Sequence, residues 1–239
     1  MPRVCQPVRC TRPDTVVGPS LRVVLASTNW ATVASFATAV GTLVLAFATF
    51  ASIRSANRSA RVAEEAFRVG LRPVLVTSRL DDPVQKIRWM DNHWARLDGA
   101  QGIVQLIDDN IYLAISLRNA GSGLAVAVGW AVVPHVANAD TPHLQPDQFR
   151  RQTRDLYIAP NDVGFWQAAI RDSSEPDYEA LRKDIEALEP FTVELLYGDH
   201  EGGQRTITRF GMIPYQADET VHWYPNVALH WNLDRPDPR

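Results

Sequence analysis

The chain has 239 residues, 46% of them hydrophobic and 21% charged, with a formal net charge of −3. That length holds one substantial domain plus accessories, and that balance excludes a largely disordered chain. Duplex binding needs a clear basic surplus on some face, so no nucleic-acid partner is expected.

The two cysteines, Cys5 and Cys10, both precede the first hydrophobic segment. The rest of the chain has no cysteine and hence no disulfide, in keeping with a reducing compartment. A Cys-x4-Cys pair without neighbouring histidines is a poor metal site. It reads as an unpaired pair within a disordered tail over residues 1–27.

No charged side chain occurs from Val23 to Ile53. As a helix, the most apolar part, Ala31 to Ile53, rises about 34 Å against roughly 30 Å of hydrocarbon, which predicts a transmembrane helix over 28–53. Trp30 suits the interface at its entrance, and Arg54, Arg58 and Arg61 flank its exit. A buried soluble helix would need a domain to surround it, and the N-terminal flank offers none. Ala46-Phe47-Ala48 has the small-x-small form of a signal-peptide cleavage site. The apolar run is longer than the usual ~7–15 residue signal core, however, and starts far from Met1.

Arg12 and Arg22 lie ahead of the span, and Arg54, Arg58, Arg61, Arg68 and Arg72 lie behind it. The positive-inside rule therefore predicts a single-pass protein of the cell membrane, with the C-terminal domain in the cytoplasm. Arg54, Arg58, Arg61, Arg68 and Arg72 keep to one helical face, interrupted by Glu65, and would meet either solvent or anionic lipid heads. Helical character continues through a juxtamembrane segment, 54–71, until Gly70 and Pro73 stop it.

Within this long helix Thr28, Ser35, Thr42, Thr49, Ala56, Ala63 and Gly70 recur every seven residues, and all are small. Phe36, Val40, Leu43, Phe47 and Phe50 gather on a different face. Small residues let membrane helices approach closely, and hydroxyls can bond across the contact. A seven-residue seam of this kind is compatible with a left-handed parallel homodimer through Ser35, Thr42, Thr49, Ala56 and Ala63. A run of small residues also arises by chance where Ala, Ser, Thr and Gly are abundant.

After Arg72 the pattern changes to period two, opening a soluble domain over 72–239. Pro73–Leu80 reads as a first strand. Ile111, Leu113, Ile115 and Leu117 alternate with Tyr112, Ala114, Ser116 and Arg118, which predicts a half-buried strand. Asn119-Ala-Gly-Ser-Gly123 reads as a turn built from residues that tolerate positive φ, leading into a partner strand over Leu124–Val132. Phe191–Tyr197, a turn at Asp199–Gly203 and Gln204–Met212 form a hairpin, with weaker strands at Val163–Ile170 and His222–Trp231. Ser174-Glu-Pro-Asp177 has the form of a capping box with Pro just inside a helix whose stripe is Tyr178, Leu181, Ile185 and Leu188. Short strands with turn signals and one inserted helix predict a mainly β fold, an antiparallel immunoglobulin-like sandwich behind the long N-terminal helix.

Leu71-Arg-Pro73, Leu117-Arg-Asn-Ala-Gly-Ser-Gly-Leu-Ala125, Val193-Glu-Leu-Leu-Tyr-Gly-Asp199 and Gly203-Gln-Arg-Thr206 follow the N-terminal span in order. In these segments the chain resembles uncharacterised bacterial single-pass membrane-anchored proteins with an immunoglobulin-like β-sandwich domain. The resemblance implies the fold and the anchor, and it brings no activity.

Asp199, His200 and Glu201 are the most metal-like cluster, but consecutive residues in a tight hairpin diverge, whereas zinc needs converging ligands. His222-Trp-Tyr224 and His230-Trp-Asn232 could form an aromatic recognition surface or pack on the sheet. No phosphate loop or nucleophile elbow is present, so no catalytic, cofactor or metal residue is assigned. The expectation is a binding or scaffolding module at the inner membrane face, whose partners are the lipid bilayer, a second copy and an unknown protein. The alternative is a metal-dependent or hydrolytic enzyme using the histidine-bearing loops.

Overall fold

The computed structural model describes residues 28–138, 140–217 and 220–236. Cys5, Cys10, Arg12 and Arg22 fall outside the described residues, as do the side chains of Thr28 and Arg68. The chain divides into two units, residues 1–62 and 63–239.

One helix, α1 (Thr28–Gly70), runs without interruption for 43 residues. Every described side chain from Trp30 to Phe67 is exposed. The stop falls at Gly70, where the glycine and the following Pro73 predict it.

The remainder is mainly antiparallel β. It begins with the short strand β1 (Leu75–Thr77) and a small hairpin, β2 (Gln85–Arg88) with β3 (Trp94–Leu97). A second hairpin follows, β4 (Gly102–Ile107) with β5 (Asn110–Asn119). Its turn residues Asp108 and Asp109 both have positive φ, 47° and 61°. Two such residues match the right-handed twist of the flanking strands, and aspartate tolerates that conformation better than most.

Then come β6 (Ala125–Val133), two short pieces β7 (Arg150–Arg151) and β8 (Tyr157–Ile158), and β9 (Val163–Ile170). The helix α2 (Tyr178–Glu186) precedes β10 (Phe191–Gly198), β11 (Thr206–Ala217) and β12 (Thr220–Asn232).

Apart from β2 and β3, which make a two-stranded sheet of their own, these strands form one sheet with two parts. In one, β5 is flanked by β9 on one edge and by β4 and β1 on the other. The second runs β12-β11-β10-β6 and ends on β7 and β8. A single pair, Trp223 with Gly102, joins them. The main core draws on both parts: Ile111, Leu113, Ile115 and Leu117 of β5 cluster with Val193, Leu195 and Tyr197 of β10 and Phe210 of β11.

The expected β5–β6 hairpin does not form. β5 and β6 belong to different parts of the sheet, and the link between them is a corner rather than a turn. β5 is also buried on both faces, not one. Tyr112, Ala114 and Ser116 are covered, and the first two join Ile87, Trp89, Leu97 and Ile103 in a second core beneath the β2–β3 hairpin.

α2 starts at Tyr178, later than the capping pattern predicts. Ser174 turns back to bond Asp172 Oδ1 through both its backbone N–H (2.8 Å) and its hydroxyl (2.6 Å), so it is not available as a cap. Asp177 precedes the helix without a side-chain cap, and Pro176 lies outside it. Tyr178, Leu181 and Ile185 enter the main core as the stripe predicts. Leu188 does not, because the helix has ended and its φ is 54°.

Candidate functional site

The residues expected to flank the membrane, Trp30, Arg54, Arg58 and Arg61, all lie exposed on α1. Trp30–Phe67 is long and apolar enough to cross a bilayer, and its apolar window is 0% buried. A helix of this composition without a protein covering has its apolar surface left for lipid or for another helix.

Along the small-residue seam, the hydroxyls of Ser35, Thr42 and Thr49 donate to the carbonyls of Ala31 (2.8 Å), Thr38 (2.7 Å) and Leu45 (2.7 Å). Their protons are therefore used within the helix, which keeps the seam compact and leaves only acceptor capacity facing outward. Ala56 and Ala63 continue the line with no polar group.

Where α1 ends, residues 70–75 are held by the Asn119–Gly123 corner. Asn119 is fully buried. Its Nδ2 donates to the carbonyls of Gly123 (2.6 Å) and Ile158 (3.0 Å), and its Oδ1 accepts from the N–H groups of Val74 (3.1 Å) and Gly121 (3.0 Å). Backbone bonds run from Ala120 N to Val74 O (2.8 Å) and from Ser122 N to Arg72 O (3.1 Å), and the Ser122 hydroxyl donates to Gly70 O.

The glycines here serve proximity, not unusual φ. None of residues 119–123 has positive φ. A Cβ on Gly121 would lie 2.2 Å from Arg72 O, and one on Gly123 would lie 1.5 Å from Leu71 O. No larger residue fits between the two strands of backbone.

The following residue continues the clamp inward. Leu75 N–H donates to the Tyr197 hydroxyl (3.0 Å), which lies 2.9 Å from Thr208 Oγ1, itself 2.7 Å from His230 Nδ1. Having accepted from Leu75, Tyr197 is placed to donate to Thr208. Burial pushes its phenol above the ordinary value, so it stays neutral and keeps both roles.

The other candidates from the sequence are not brought together. Asp199 Oδ1 accepts from Gly203 N–H (2.8 Å) inside its own turn, where Gly202 has φ 74°, while His200 and Glu201 are exposed. Among the described residues, no group of three or more His, Cys, Asp or Glu side chains is placed to hold a metal ion. Trp223 is buried against Phe191, with ring centroids 5.3 Å apart, whereas Trp231 is half-buried beneath the Arg209 guanidinium.

Two constellations escaped sequence reasoning. Glu194 and Arg209 form a buried ion pair between β10 and β11, with Nη2–Oε1 2.6 Å and Nε–Oε1 2.8 Å. Arg209 also donates to the carbonyls of Asn138, Thr141 and Pro142, and Glu194 Oε2 accepts from Leu144 N–H, so the pair ties these four residues to the sheet.

The other is Asp91, which accepts from Tyr112 Oη (2.7 Å) and Arg171 Nη2 (2.9 Å). Burial works to raise its carboxyl, but those two bonds, a third from the His93 N–H and the Arg171 charge together outweigh it and hold it at about 2. A depressed carboxylate stabilises the fold above its ordinary value of 3.8 and loses that contribution as pH falls toward about 2. The Asp91 carboxyl carbon, followed by NMR, should titrate near 2, and clearly higher in Tyr112→Phe/Arg171→Ala.

No family model, curated protein or solved structure matches the chain.

Proposed function

We propose that the chain is a single-pass, membrane-anchored binding or scaffolding module. In this reading its immunoglobulin-like β-sandwich domain is held at the cytoplasmic face of the membrane by α1. The observation that carries it is the wholly exposed apolar helix, bounded by Trp30 and Arg54, followed by a clamp that fixes the exit of the helix to the domain's first strand. The arginines behind the span favour the cytoplasmic side.

We also propose a second copy of the chain as a partner, paired through Ser35, Thr42, Thr49, Ala56 and Ala63. The support is the compactness of that line, with its hydroxyl protons bonded back along the helix.

Two experiments test these readings. A C-terminal reporter active only in the cytoplasm should be active, and one active only outside it should be silent; the reverse would overturn the orientation. In a background with Cys5 and Cys10 replaced by serine, Thr42→Cys should crosslink between copies and Phe36→Cys should not. Equal crosslinking at both positions would remove the seam.

A further inference from the structure

The segment Arg150-Arg-Gln-Thr-Arg154 takes no part in the anchor, the clamp or the buried ion pair. It begins in β7, at the end of one part of the sheet, and faces β9, an edge of the other. Gln152 Nε2 spans the seam to Gln167 O at 3.3 Å. Beside that bridge lies a cleft of about 340 Å³, lined among others by Trp89, Trp130, Arg150, Arg151, Arg154 and Arg171.

Its charge is opposite to that of the chain. Four arginines and one acid, Glu175, contribute to the lining, whereas the whole protein carries −3. Arg150 lies 5.0 Å over the Trp130 ring and is paired with Glu175, with Asp177 3.8 Å away. Arg171 is held by Asp91 at 2.9 Å. The side chains of Arg151 and Arg154 are exposed and have no hydrogen-bond or ion-pair partner among the described residues.

The wall is also incompletely satisfied. Three buried side-chain polar atoms among the described residues lack a partner, and two of them, Gln152 Oε1 and Gln167 Oε1, belong to lining residues. Both are acceptors, so a donor completes them, either a water or a hydroxyl carried by the ligand and not a phosphate oxygen.

We propose that this cleft binds a phosphomonoester, the group shared by small organic phosphates and by phosphatidic acid. Carboxylates are already supplied from within, by Glu175 and Asp91, so a monocarboxylate ligand would only exchange one partner for another. A phosphomonoester brings up to two charges and three acceptor oxygens, enough to engage Arg151 and Arg154 while the internal pairs stay in place. The volume suits a small ligand. The lining lies wholly within the β domain, whereas the discs and the phosphatidic acid arm rest on the proposed anchor, whose own failure carbonate extraction reads separately.

The test is calorimetric titration of glycerol 3-phosphate into the full chain held in phosphatidylcholine nanodiscs. Saturable one-to-one binding is expected, weakened roughly tenfold by each of Arg151→Ala and Arg154→Ala and unchanged by Arg96→Ala, which lies outside the lining. Unchanged thermal unfolding of the two cleft variants, whose side chains are exposed and unpaired, separates lost binding from lost fold.

With phosphatidic acid added to the discs, loss of the soluble titration assigns the site to the lipid, and an unaltered titration assigns it to a soluble phosphate; either supports the site. Absence of saturation in phosphatidylcholine discs, or affinity indifferent to both substitutions, would overturn it. Tighter binding of a phosphoserine peptide than of glycerol 3-phosphate would overturn the small-ligand assignment.

Discussion

Replacing Asn119 with alanine should destabilise the β domain by roughly 3–4 kcal/mol, measured as a drop in denaturant midpoint at unchanged slope. The side chain is fully buried and makes four hydrogen bonds, two as donor and two as acceptor. Alanine leaves the Val74 and Gly121 N–H groups and the Gly123 and Ile158 carbonyls to find other partners in a space without room for much water. Aspartate should fare no better, because it offers a carboxylate oxygen where Nδ2 now donates to two carbonyls.

Gly123→Ala should cost about as much by a different route, since its Cβ would lie 1.5 Å from Leu71 O and the two backbones would have to part. Because both changes open the same corner, their combined cost should fall short of the sum. Ser122→Ala, which removes only an exposed bond to Gly70 O, should cost under about 1 kcal/mol. Hydrogen exchange at Val74 and Leu75 should rise in the Asn119 and Gly123 variants, releasing the segment that joins the helix to the domain.

Arg209→Ala should be the other large effect, roughly 3–5 kcal/mol, because it strands the Glu194 carboxylate in the interior. Most of that cost belongs to the abandoned partner and not to the pair itself. Replacing both Glu194 and Arg209 with methionine should therefore recover much of the loss. The double variant should still lack the guanidinium bonds to Asn138, Thr141 and Pro142. Exchange at Leu144 N–H, which Glu194 Oε2 accepts at 3.0 Å, should stay elevated in it even where global stability returns. A double variant as unstable as the single one would mean that the pair is more than a mutual neutralisation.

Strong period-two patterns were readable from residues alone. The strands at Ile111–Leu117 and Val163–Ile170 and the 191–212 hairpin lie where alternation and turn residues place them. Alternation cannot say which strands pair, and the corner at Asn119–Gly123 shows why. Its glycines suit a hairpin turn, but the constraint that makes them glycine is the approach of Leu71 and Arg72, about fifty residues earlier in the chain.

The β2–β3 hairpin was hidden because Lys86, Arg88, Trp94 and Arg96 face outward and only Ile87 and Leu97 are fully buried. Asp108-Asp-Asn110 between two apolar runs was the available signal for β4. The Glu194–Arg209 pair was within reach as well. Once the Asp199–Gly203 turn sets the register of its hairpin, these two residues fall opposite each other. The cleft was announced only by the Arg150–Arg154 run, since its tryptophans and glutamines converge through strand order.

The anchor is tested most directly by alkaline carbonate extraction of membranes containing the full chain, compared with a Leu43→Arg/Phe47→Arg variant. A spanning α1 keeps the unaltered chain in the membrane pellet. Two mid-span arginines, at about 3 kcal/mol each on the insertion scale, should release much of the variant to the supernatant. Release of the unaltered chain by carbonate, or equal retention of both, would contradict a membrane-spanning helix.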